Sequence, residues 1–130
     1  MPNPRRYTFQ FFNSYIPEFT AIYAKVAIGV AGAPTLNALA SMGVASISRA
    51  AEGQYLVTLN NKYNRLVYVS ACFVAPGGAT APDISVETDS VLSAGTLVIN
   101  TLSGGTNTDP ANGETMLLQI HLKNSSVAAG

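Results

Sequence analysis

The side chains able to do chemistry are few, and their spacing is loose. His121 is the single histidine and Cys72 the single cysteine of the chain. A general base or an activated nucleophile needs a second group that holds or deprotonates it. His121 lies in QIHLK, on the strand face it shares with Gln119 and Lys123, a position that reads as exposed or at an interface. Cys72 lies in VSACFV, where a cysteine reads as a small buried hydrophobe, and a reactive thiol would need a nearby basic group, which this stretch does not hold. A Cys72–His121 pair stays open, with no third member indicated. A zinc site needs about four nitrogen or sulfur ligands, which one His and one Cys cannot supply.

The carboxylates are Glu18, Glu52, Asp83, Glu87, Asp89, Asp109 and Glu114. Glu87 and Asp89 sit two apart on one strand face, a spacing that could orient a carboxylate pair for glycoside cleavage. The competing reading is the solvated side of an edge strand. Asn107, Asp109, Asn112 and Glu114 gather oxygens in one loop, so calcium is conceivable, but the ligand density is below that of an EF-hand loop. Asp-Pro and Asn-Gly are turn dipeptides, and the loop reads first as a turn. Neither a P-loop nor a G-x-G-x-x-G fingerprint occurs. The expectation is therefore no catalytic residue, no metal, no cofactor and no enzyme.

Composition bounds the remaining classes. The chain has 130 residues, the length of one domain, and such a domain buries about 68% of its unfolded surface without needing a disulfide or a metal. Charged residues make up 11%, against about 25% in an ordinary soluble domain. Seven basic and seven acidic side chains cancel. Arg49, Lys62, Arg65 and Lys123 are scattered, so no basic stripe exists to follow a nucleic-acid backbone. No apolar run approaches the roughly 20 residues of a membrane span, and Arg5 and Arg6 precede an aromatic and polar stretch that does not resemble a signal peptide. Asn124-Ser125-Ser126 fits the N-glycosylation pattern, which carries weight only in a secreted chain. A neutral surface of small residues suits a protein packed against others.

These residues must be positioned by strands. Residues 44–50, 54–60, 66–75, 83–89, 95–103 and 115–124 read as short strands split by Gly, Pro and Asn turns. Tyr55, Val57 and Leu59 alternate with Gln54, Leu56 and Thr58; Met116, Leu118, Ile120 and Leu122 share one face of the last strand, with Leu117, Gln119, His121 and Lys123 on the other. Residues 66–75 are apolar almost throughout, which predicts a central strand covered on both faces. Residues 35–43 are the best helical candidate, one or two turns beginning at Pro34 or Thr35 and ending at Gly43, with an extended reading also open. The pattern predicts an all-β fold: an antiparallel β-sandwich, jelly-roll-like, with an extended N-terminal arm. Its parts would be residues 1–30 as arm and first strands, 31–124 as sandwich, and 125–130 as tail.

The N-terminal stretch differs in character. Tyr7, Phe9, Phe11, Phe12, Tyr15, Phe19 and Tyr23 are most of the protein's aromatic side chains. Tyr7, Phe9 and Phe11 alternate with Thr8 and Gln10, as in a strand. Two readings compete: the first strands of the same sandwich, or an arm that packs on a neighbouring subunit by adding to an exposed sheet edge.

The order of several pieces is similar to that in small virion proteins of tailed bacteriophages. These are Val44–Arg49, the Gly53–Leu59 strand, the Asn61–Tyr63 turn, the long apolar strand Leu66–Val74, the loop Thr106–Gly113 and the closing Leu122–Val127. The resemblance covers residues 44–127. It implies a capsid cement (decoration) protein or related head protein, a β-sandwich that is often a homotrimer. Its partners would be the major capsid protein and itself, with neither nucleic acid nor membrane. It would be made in the host cytoplasm and lie on the capsid exterior. The capsid-contact candidates are then Arg5, Arg6, Tyr7, Phe9, Phe11, Phe12, Tyr15, Phe19 and Tyr23. The trimer-contact candidates are Leu117 and His121 on the closing strand, with Leu56 across from it. A rival expectation is a receptor- or carbohydrate-binding module of a phage fibre or tail, using Asn61, Tyr63, Asn64 and the 103–114 loop.

Overall fold

The computed structural model describes residues 19–76 and 82–123. Among these residues nine strands form two antiparallel sheets: β1 (Phe19–Ile28), β2 (Pro34–Leu36), β3 (Val44–Ala51), β4 (Gln54–Leu59), β5 (Arg65–Val74), β6 (Asp83–Ser90), β7 (Thr96–Ser103), β8 (Thr106–Asn107) and β9 (Thr115–Lys123). One sheet, A, runs β2-β1-β9-β5; the other, B, runs β3-β4-β7-β6, with β8 paired to β7. The protein is an all-β antiparallel sandwich, as its alternating apolar runs require.

The core lies between the sheets. Sheet A contributes Ile22, Ala24 and Val26 from β1 and Met116, Leu118, Ile120 and Leu122 from β9; sheet B contributes Tyr55, Val57 and Leu59 from β4 and Leu97 and Ile99 from β7. Each set sits at every second position, because successive strand side chains point to opposite faces. The β1–β9 register sets Ile22 opposite Ile120 and Val26 opposite Met116, so apolar pairs stack along the interior.

The apolar run 66–75 is not a central strand. β5 lies at the edge of sheet A and, among the described residues, pairs only with β9. Leu66, Val69, Ala71 and Phe73 pack on the core, while Tyr68, Cys72 and Val74 face outward and are exposed. Both faces of the run are apolar, but the sandwich covers one. Cys72 is accordingly exposed, not buried. The helical candidate resolves differently as well. Residues 34–36 form β2, and Asn37 then caps a single 3-10 turn, Ala38–Ala40, its Oδ1 accepting from the backbone N–H groups of Leu39 and Ala40. Leu39 projects fully into solvent (101% exposed), so Leu36 and Leu39 share no buried helical face.

One end of the sandwich is fixed by a polar knot around Asp109. Arg49 donates to both of its carboxylate oxygens, Nε to Oδ1 at 3.0 Å and Nη2 to Oδ2 at 2.8 Å, and Gly53 N–H donates to Oδ1 at 2.8 Å. The buried Tyr55 hydroxyl donates to the Gly32 carbonyl at 2.7 Å. Gly32 has φ +75°, and a Cβ there would lie 2.6 Å from Asp109 Cγ. Only glycine serves this position.

The knot makes stability depend on pH at both extremes. The Arg49 hydrogen bonds hold the Asp109 carboxyl below its ordinary value. That contribution is present above the unfolded value of about 4 and is lost as pH falls through the lowered native one. Burial, with the Asp109 charge adding, pushes the Tyr55 phenol up to about 12. That contribution is complete below about pH 10, the unfolded value, and fades as pH rises toward the native one. Urea midpoints measured across pH should therefore fall on both limbs. Asp109→Asn should flatten the acid limb and Tyr55→Phe the alkaline one. In the core, Leu118→Ala should cost about 2–5 kcal/mol, whereas Leu117→Ala, one residue away on the outer face, should cost less than about 1 kcal/mol.

Candidate functional site

The outer face of sheet A is built by the residues that the alternation leaves over. β1 contributes Phe19, Ala21, Tyr23 and Lys25; β9 contributes Leu117, Gln119 and His121; β5 contributes Tyr68, Ser70, Cys72 and Val74. The pairings place Ala21 and Tyr68 on either side of His121, and Lys25 and Cys72 on either side of Leu117. Phe19 and Tyr68 both meet the His121 ring edge-on, at centroid distances of 5.1 and 6.0 Å. Phe19, Tyr23, Tyr68, Val74 and Leu117 are all exposed large hydrophobics, and Met42, bridged to Tyr23 through its backbone, extends the patch. A shallow groove runs along the face between Tyr23, Gln119, Leu117, Ser70 and Cys72. Among the described residues its central charge is Lys25, with Arg65 at one end of β5.

His121 is half-buried between two aromatic rings, and its Nε2 is buried with no hydrogen-bond partner among the described residues. The sequence left open a pairing with Cys72. Cys72 lies opposite Leu117, four positions from His121 along β9, so about 13 Å separates the two. Lys123, which shared the predicted outer face, is buried.

The other candidates fall in different places. β4 belongs to sheet B, so Leu56 faces outward on the opposite side of the sandwich from Leu117 and His121. The expectation that it lies across from β9 fails because β4 and β9 pair in separate sheets. Phe19 and Tyr23 are on the outer face of β1; Arg5, Arg6, Tyr7, Phe9, Phe11, Phe12 and Tyr15 lie outside the described residues. Glu87 and Asp89 are on the edge strand β6 and engage different partners. Glu87 Oε1 accepts from Gln54 Nε2 at 2.7 Å, and Asp89 Oδ1 accepts from Val91 N–H at 3.1 Å. In the 103–114 loop, Asp109 is committed to Arg49 and Gly53, and the buried Glu114 turns inward, its Oε2 accepting from Ala111 N–H at 3.2 Å. Among the described residues no group of three or more His, Cys, Asp or Glu side chains is gathered that could hold a metal ion. No described helix is long and apolar enough to cross a membrane.

The polar and aromatic set Asn61, Tyr63, Asn64 and 103–114 does not form one site. Asn61 packs near Gly95 at the Leu59 end of β4, while the 103–114 loop meets Gly53 at the Gln54 end, one six-residue strand (~20 Å) away. Tyr63 is also packed against the core instead of standing free.

What sequence reasoning missed is the β5 half of the outer face. The signal was present: Tyr68, Ser70, Cys72 and Val74 alternate within an apolar run, with a polar Ser70 and no charge among them. Compared with known proteins, the chain matches no family model, no curated protein and no solved structure.

Proposed function

We propose that this chain is a structural virion protein, a capsid cement or decoration protein of a tailed bacteriophage. It would bind across seams of the major capsid protein and hold the head against the pressure of packaged DNA. The reading combines the resemblance over residues 44–127 with one structural observation: the outer face of sheet A, whose described residues include several exposed aromatic and aliphatic side chains and little charge. Exposed apolar patches of this kind mark interaction surfaces. Burying neutral side chains also avoids the desolvation penalty that charges impose.

A cement protein acts by adding buried area. Phe19, Tyr23, Tyr68 and Leu117 offer large side chains held on rigid strands, so little entropy is lost when they are covered. Repetition on a symmetric shell turns modest single contacts into strong retention. Association of three copies around a three-fold axis, on the capsid exterior after synthesis in the host cytoplasm, completes the reading. Leu117 and His121 are its candidates for contact between copies.

The test is to add purified protein to heads that lack it, measure bound copies by sedimentation, and follow head rupture on heating. The wild-type chain should bind saturably and raise the rupture temperature. A Tyr68→Ser, Leu117→Ser double variant, altered only on the outer face, should stay folded by circular dichroism and bind at least tenfold more weakly. Absence of binding by the wild-type chain, or full binding by the folded double variant, would remove this reading.

A further inference from the structure

Asn112 is the single asparagine of the chain that is followed by glycine. Both residues are exposed in the turn before β9, and Gly113 has φ +95°. A Cβ added at Gly113 would meet nothing within 4 Å among the described residues, so the space beside its backbone is open. Glycine also lacks the side chain that in other residues crowds the amide nitrogen. The Asn112 side-chain amide and the Gly113 main-chain amide are therefore neighbours with little to keep them apart.

We propose that Asn112 is a site of spontaneous deamidation, and that the fold gates the reaction through the hydrogen bond on the Gly113 amide. Hydroxide takes the Gly113 N–H proton, and the nitrogen bonds to Asn112 Cγ. The Cγ–Nδ2 bond breaks, and the departing nitrogen takes a proton from water and leaves as ammonia. The product is a five-membered succinimide. Water then opens the ring at either carbonyl, giving aspartate or isoaspartate at position 112. Nothing is oxidised or reduced, and water and hydroxide are the co-reactants.

The gate is the end of the β1–β9 ladder. Gly113 N–H donates to the Ile28 carbonyl at 2.9 Å, and Ile28 N–H donates to the Glu114 carbonyl at 2.9 Å. These two bonds extend the ladder one step beyond Ala27–Thr115, its last paired position. The attacking nitrogen must lose the very proton that the Ile28 carbonyl holds. Reaction therefore waits until this end opens, and a ladder end opens at lower free energy than the whole molecule.

The product does not fit back. Isoaspartate routes the main chain through the former side chain and inserts a methylene between the Cα of residue 112 and Gly113. The turn is closed by Glu114 N–H donating to the Ala111 carbonyl at 3.1 Å and by Ala111 N–H donating to Glu114 Oε2 at 3.2 Å. Those bonds and the Gly113–Ile28 bond suit the shorter path and are not all regained on the longer one. Either product also adds a negative charge to a turn that already encloses the Glu114 carboxylate, 1% exposed. Each opening that ends in ring closure is thus irreversible, and this end of sheet A loosens as the protein ages.

The test incubates the full-length chain in mildly alkaline buffer, native and in denaturing urea. Peptide mapping and enzymatic methylation of isoaspartate locate the converted residues. In urea Asn112 should convert before any other asparagine, and Gly113→Ala, compared in urea where folding plays no part, should suppress it. In the native chain conversion at Asn112 should be at least about tenfold slower, and hydrogen exchange at the Gly113 amide should be slowed by a similar factor, because one opening exposes the proton to both reactions. Converted chains, separated by their added charge, should unfold at lower urea than unconverted ones. Another asparagine reacting first in urea, native conversion as fast as in urea, unslowed exchange at Gly113, full reactivity of Gly113→Ala, or equal urea midpoints would each overturn the proposal.

Discussion

A β-strand has two faces, and a two-layer sandwich covers only one of them. Everything distinctive here follows from that constraint acting on β9. Its inward residues Met116, Leu118, Ile120 and Leu122 are at most 1% exposed. They pair with β1 on one side and β5 on the other and so hold sheet A together. The same backbone must then present Leu117, Gln119 and His121 outward. In an ordinary soluble domain this second face would carry charge. Here it carries aromatic and aliphatic groups, and the strands flanking it do the same.

The low charge content gains a location from this. The basic residues Arg49 and Lys123 are tied up at Asp109 or buried, and the acids concentrate on β6 and the turns. The outer face of sheet A is left almost neutral around Lys25. Water gains little from such a surface, and a second protein surface gains a good deal. The Asp109 knot serves a different end. It pins the β3–β4 hairpin and the Gly29–Ala33 turn to the loop before β9, so the strands that frame the face stay in register.

Much of this was legible in the sequence. Alternation in QYLVTL and TMLLQIHLK identified the inward residues, and Gly and Asn turns identified the breaks between strands. Both signals are local: a strand's period and a turn's backbone demands are fulfilled by neighbours in the chain. The Arg49–Asp109 pair spans sixty residues, and no local pattern announces it.

The sequence by itself determined that the chain is all-β, which residues of most strands point inward, and that few groups are available for chemistry. Tertiary structure alone decided which strands are edges. That is why an apolar run read as a covered central strand became the exposed β5, why Cys72 came to the surface, and why Leu56 and Leu117 stand on opposite sides of the molecule. Strand order depends on pairing between distant segments, and the side-chain period is identical in a central strand and an edge strand. A period shows that a residue has a face; only the neighbouring strands determine what covers it.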